Sequence, residues 1–276
     1  MTALATPAQT QQTRAHGRGP LLAGLARSEW IKLRTLRSSY WTLLAAAVAM
    51  TGFGGLLSAA YARHLTPATR AALDPASYSQ SGFFLAQLAI GVLGVLVMTG
   101  EYATGSIRST LAAAPQRVAV LAAKAGVFTA VAFATGLASS FAAFFLGRAI
   151  FASKNIDVSL AAPGALRSVL GTGLYLAVFG LLSLGLGALI RRTAGAIATL
   201  IALLIFLPVS AGALPAAWQQ DVNPYLPSVA GQVLIGRTRF TPPGQLLPPW
   251  AGFAVFCGYT AAILVTAAIC LHRRDA

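Results

Sequence analysis

Six stretches of about twenty mostly apolar residues, uncharged except for the third, constrain this chain more than any other feature. They run over about 41–60, 83–99, 122–146, 169–190, 194–214 and 250–271. A helix of some 20 apolar residues crosses about 30 Å of hydrocarbon, and lipid admits only helices or closed barrels because each backbone polar group must be satisfied internally. The expected fold is therefore an all-α integral membrane protein with six transmembrane helices. Composition agrees: 57% of the 276 residues are hydrophobic and 9% charged, against about 25% charged in an ordinary soluble chain. Residues 1–20 have no apolar period and read as a disordered tail. The pattern predicts an amphipathic helix over 21–38 and the six-helix domain over 39–276.

Charge sets the orientation. Twenty Lys and Arg against six Asp and Glu give a net charge of +14, which in a soluble chain would suggest nucleic acid. Here the basic residues stand at the ends of apolar runs, where they orient a membrane protein and meet anionic headgroups; no nucleic-acid partner is expected. Thirteen of the twenty fall on the side of the N-terminus, among them Arg27, Lys32, Arg34, Arg37, Arg117, Arg191, Arg192 and Arg273. The bias predicts both termini in the cytoplasm. Trp30, Trp41, Trp218 and Trp250 all lie at or beside run ends, the distribution of an interfacial aromatic belt. Cys257 and Cys270 share one run, about 20 Å apart along a helix, too far for a disulfide.

Two polar segments stand out. In Leu21–Arg37, Leu22, Leu25, Ala26, Leu33 and Leu36 share a face with Arg27 and Arg34 nearly opposite, as in a helix lying in the membrane interface. Glu29 falls in the middle of the apolar stripe, where a carboxylate requires a partner: Lys32, one short turn away, or a contact from elsewhere. The second segment runs from Thr99 to Pro115 after the second apolar run. Gly105 can turn the chain, Ser106 can cap a short helix and Pro115 can stop it. Lys124, the lone charge in the third run, has a stem long enough to snorkel to the interface.

Together, Ser28-Glu29-Trp30-Ile31-Lys32-Leu33-Arg34-Thr35 before the first run and Glu101-Tyr102-Ala103-Thr104-Gly105-Ser106-Ile107-Arg108-Ser109-Thr110-Leu111 after the second resemble the membrane subunit of a type 2 ATP-binding-cassette (ABC) exporter. The resemblance implies a permease forming the substrate pathway, a homodimer or heterodimer with a second permease, and a separate ABC ATPase subunit that holds ATP and Mg. It places Glu29, Trp30 and Lys32 in a connecting helix. It places Glu101, Tyr102, Thr104, Gly105 and Arg108 in a coupling segment that touches the ATPase. It also implies a bacterial plasma-membrane location and a re-entrant outer hairpin around Val229–Ile235, a stretch too short to span that by itself reads as dipping into the outer leaflet, packing on the helices or forming an ordinary surface loop.

No phosphate loop of the form G-x-x-x-x-G-K-[ST] occurs in the sequence, so no ATP-binding device of that kind and no enzymatic activity is expected of the chain itself. The pairs Gly171/Gly173 and Gly185/Gly187 read as close-packing positions. His16, His64 and His272 are scattered, so no metal site or other cofactor is expected. The alternatives are a stand-alone secondary transporter, which normally carries an ionisable group at mid-membrane, and a non-transporting immunity or sensor protein. The substrate is not legible in these residues.

Overall fold

The structure, a computed structural model, describes residues 18–64, 66, 74–107, 116–236 and 246–273. Six of its helices are long and apolar enough to cross a membrane. In chain order the elements are α1 (Arg18–Thr35), α2 (Arg37–Arg63), α3 (Pro75–Ala103), α4 (Arg117–Ala152), α5 (Ala165–Ile190), α6 (Thr193–Ala211), the short α7 (Ala216–Val222) and α8 (Pro227–Gln232), and α9 (Pro249–Arg273). Among the described residues there is no strand.

α5 is the centre of the bundle. It packs against α3, α4, α6 and α9, and 72% of its most apolar window is buried inside the protein, against 22% for α9 and 28% for α2 and α6. The peripheral helices turn apolar side chains outward, including Val48 and Leu56 on α2, Phe206 on α6 and Val265 on α9. In water such faces would be unstable; in lipid they meet their own kind. All four tryptophans are at least half exposed.

The helices run longer than their apolar runs. α1 begins at Arg18, inside the segment expected to be a tail, because Gly19 and Pro20 sit in its first turn, where proline forfeits no helical bond. Residues 1–17 lie outside the described residues. α1 and α2 are separated by Leu36 alone, whose extended backbone (φ −74°, ψ 106°) ends one helix and starts the next. α3 starts at Pro75, eight residues before its apolar run. Asp74 caps it, accepting from the Ser77 backbone N–H. In its polar first turns Ser77, Ser79 and Gln80 have partners. Gln80 receives a hydrogen bond from the Ser140 hydroxyl at 2.6 Å and donates to the Ser140 carbonyl at 3.2 Å, tying α3 to α4.

α6 contains a wide turn, Ala202–Phe206, in which the Leu207 N–H reaches back five residues to the Ala202 carbonyl. Pro208 follows, and having no N–H it cannot continue the regular ladder. The segment Val229–Ile235 is buried throughout, so the surface-loop alternative is set aside. It wedges between α5 and α9: a Cβ on Gly171 would lie 2.8 Å from Leu234, and one on Gly252 would lie 2.7 Å from the Ala230 carbonyl. Gly173, Gly185 and Gly187 are likewise helix contacts, against Leu137, Ile263 and Val95. Below the wedge, Tyr175 donates to Gln87 at 2.6 Å within an aromatic group that includes Phe83, Phe179 and Phe256.

The N-terminal ends of α2, α4 and α6 and the C-terminal ends of α3, α5 and α9 gather at one end of the bundle. Thr193 donates to Thr99 at 2.9 Å, and Arg117 donates to the Leu271 carbonyl at 3.0 Å. α1 packs across this same end, against α4.

Candidate functional site

α1 turns Leu25, Ala26, Glu29, Lys32 and Leu33 inward, the positions of one helix face, while Arg27, Trp30, Ile31 and Arg34 are exposed. The acid in that stripe is 4% exposed. It is met from two directions. Lys32, one turn on, donates to Glu29 Oε1 at 2.8 Å, and Lys124 of α4 donates to Glu29 Oε2 at 2.5 Å. Glu101, in the last turn of α3, receives both lysines on Oε1, each at 2.8 Å. Two carboxylates and two ammonium groups thus alternate around a closed ring that joins α1, α3 and α4.

The lysines are not equivalent. The Lys124 side chain is 2% exposed and that of Lys32 is 40% exposed. A buried ammonium is tolerated only with its opposite charges close and well hydrogen-bonded. The stem of Lys124 delivers its ammonium to two carboxylates, Glu29 of α1 and Glu101 at the end of α3. Lys32 is shifted upward from the ordinary lysine range, because the tendency of burial to lower it is outweighed by its hydrogen bonds to Glu101 and Glu29. It stays charged through the physiological range.

Tyr102, the next residue along α3, lies under Arg191, whose guanidinium carbon is 5.1 Å from the ring centroid, a cation–π contact worth about 0.5–1 kcal/mol. Arg191 closes α5 in a left-handed conformation, φ 59°. The end of α3 is thereby held on one side by the charge ring and on the other by the α5–α6 junction. After Ala103 the helix stops. The Thr104 hydroxyl closes the turn, donating to the Gly100 carbonyl at 2.9 Å and lying 3.0 Å from the Ser106 hydroxyl. Gly105 has φ +72°, the left-handed turn that glycine adopts freely. Residues 106–107 are helical again. Gly105 thus makes the turn expected of it, and Thr104, Gly105 and Ser106 are exposed. Arg108 and the rest of the segment through Pro115 lie outside the described residues.

Residues 25–210 match the family model described as "ABC-2 family transporter protein". The chain belongs to the ABC-2 family. No curated protein matches it. The ABC-2 match opens within α1 and closes within α6, so all four members of the charge ring fall inside it, while α7, α8 and α9 follow it. The chain is thus a membrane protein of the ABC-2 family with, among the described residues, six apolar helices long enough to span a bilayer. Among the described residues no group of His, Cys, Asp and Glu could hold a metal ion.

Of the residues singled out in the sequence of this ABC-2 protein, the fold brings Glu29, Lys32 and Glu101 into one cluster. It sets Tyr102 beside them on Arg191, and leaves Trp30 exposed on α1, Thr104 and Gly105 exposed beyond α3. Sequence reasoning missed Lys124 as the hub and Arg191 as the clamp. A signal for Lys124 was present: a lone cation in one apolar run and a misplaced acid in another apolar stripe are each costly alone and neutral together.

Proposed function

We propose that the chain is the permease subunit of an ATP-driven exporter and that a separate ATPase subunit drives it through the segment that begins at Glu101. The observation that carries this reading is the ring formed by Glu29, Lys32, Glu101 and Lys124. It ties the exposed turn Thr104–Ser106 to three helices at once. A push on that turn is therefore delivered to α1, α3 and α4 as a unit, and through Tyr102 and Arg191 to the junction of α5 and α6. The family match supports a permease-type role. In this reading Glu29, Trp30 and Lys32 belong to a connecting helix. Trp30, half exposed on α1, would meet the partner or the membrane interface. ATP and Mg reside on the partner, and a second permease, identical or similar, completes the pathway in a bacterial plasma membrane.

The test is recovery of the chain in mild detergent, asking whether an ATPase accompanies it, followed by transport in vesicles containing the complex. Glu101→Ala and Arg108→Ala are expected to lower transport and to uncouple it from ATP hydrolysis. Undiminished transport in both variants would sink the coupling role. Substrate flux driven by an ion gradient in vesicles holding this chain alone would replace the reading with that of a secondary transporter.

A further inference from the structure

Beside the charge ring, α1, α2, α3 and the turn after α3 line a half-open cavity of about 560 Å³, within the range of small-ligand sites, about 300–1,000 Å³. Its lining includes Leu33, Leu36, Leu93, Leu96 and Val97, the four ring residues, and hydroxyls such as those of Ser39, Thr42 and Thr104. The ring leaves two hydrogen-bonding capacities unused. Glu101 Oε2 is buried and has no partner among the described residues. Lys32 spends two of its three N–H groups on the carboxylates, and its side chain is 40% exposed.

A buried carboxylate oxygen without a donor is costly, so the site gains from a ligand that brings one. Net charge narrows the choice. The ring's two carboxylates and two ammonium groups sum to zero, and a ligand with net charge of either sign would leave an uncompensated charge at a mostly buried site. A head carrying both signs leaves the sum unchanged. Its cation must also possess an N–H, which a quaternary ammonium lacks. The adjoining leucines and valine then call for a hydrocarbon chain.

We propose that this cavity binds a bilayer phospholipid whose headgroup joins a phosphate to a primary ammonium, as in phosphatidylethanolamine. The ammonium donates to Glu101 Oε2, the phosphate accepts from Lys32, and an acyl chain lies along Leu33, Leu36, Leu93, Leu96 and Val97. The adjacency of the two contacts matches that of the two charges in the headgroup, since Lys32 Nζ is 2.8 Å from Glu101 Oε1. This binding is a property of the chain alone and does not rest on the ATPase reading.

Thermal denaturation of the purified full-length chain, without any ATPase, tests it by titration with phosphatidylethanolamine, phosphatidylcholine and phosphatidylglycerol of identical acyl chains. Phosphatidylethanolamine is expected to raise Tm saturably and to bind about tenfold or more tighter than phosphatidylcholine, the equivalent of one charge-assisted hydrogen bond. Equal or greater stabilisation by either other lipid overturns the proposal, as does stabilisation by none. Glycerophosphoethanolamine, the same head without chains, should compete only weakly; competition as strong as the lipid's would assign the site to a soluble zwitterion instead. Glu101→Gln replaces the acceptor with a donor and should erase the preference. Because that change also strains the ring, Thr42→Trp, which fills the cavity from α2 and leaves all four charges in place, should abolish the lipid effect while the helical circular-dichroism signal is kept. A preference for phosphatidylethanolamine surviving in either folded variant overturns the proposal.

Discussion

At the scale of single residues, Lys124 is the group on which the most depends. It stands in the second turn of α4, and its ammonium is met only by Glu29 and Glu101 among the described residues. Lys124→Ala would bury two carboxylates with one half-exposed counter-charge between them, a loss of about 3–5 kcal/mol. Lys32→Ala, at the corner where the cation is 40% exposed and screened by solvent, should cost less, about 1–3 kcal/mol, because it still takes a donor from each buried carboxylate. Thermal melts of the two purified variants in one detergent check the contrast, and equal losses would show that burial does not rank the lysines. The sequence made Glu29 legible as an acid in an apolar stripe, and Lys124 as a charge in an apolar run. It could not join them. The pair is 95 residues apart, and helical periodicity reports which face a residue occupies, not which helix that face meets.

At the scale of elements, the six helices were legible because apolar length is a direct demand of the bilayer. Their ends were not, because hydropathy ignores partners. The first turns of α3 contain Ser77, Ser79, Gln80 and Ser81, all buried, and fall before the apolar run; Ser140 and the Ala76 carbonyl satisfy Gln80 and Ser79. The same junction shows how closely the elements meet. A Cβ on Gly82 would overlap the carbonyl of Met50 in α2, a backbone atom that cannot swing aside. Gly82→Ala should therefore destabilise the α2–α3 contact by about 1–3 kcal/mol or more. Gly52, two residues beyond Met50 on the same α2, has nothing within 4 Å of its Cβ position. Gly52→Ala should be neutral or stabilising by up to about 1 kcal/mol, since alanine is the better helix former. Detergent melts of the two variants separate close approach from helix propensity: a matching loss in both would mean that helix packing is not the cause.

At the scale of the whole molecule, the two ends of the bundle differ in what they hold. One holds the ring, Arg117, Arg191 and the exposed Thr104–Ser106 turn. The other holds the hydroxyl network of Ser77, Ser140 and Ser168, in which Ser168 donates to the Ile235 carbonyl at 2.6 Å. An ATPase can reach the first end only if that end faces the cytoplasm, so the orientation read from basic residues and the coupling reading stand or fall together. With Cys257 and Cys270 replaced by Ser, single cysteines at Ser106 and Ser159, both exposed and at opposite ends, report the side. In intact cells a membrane-impermeant thiol reagent should label Ser159→Cys, and should label Ser106→Cys only after permeabilisation. The positive-inside bias demands this result because the thirteen basic residues on the side of Ser106 resist translocation more than the seven opposite them. The reverse pattern would put Glu101 and its turn outside the cell, beyond the reach of any ATP, and would leave the charge ring with a structural role alone.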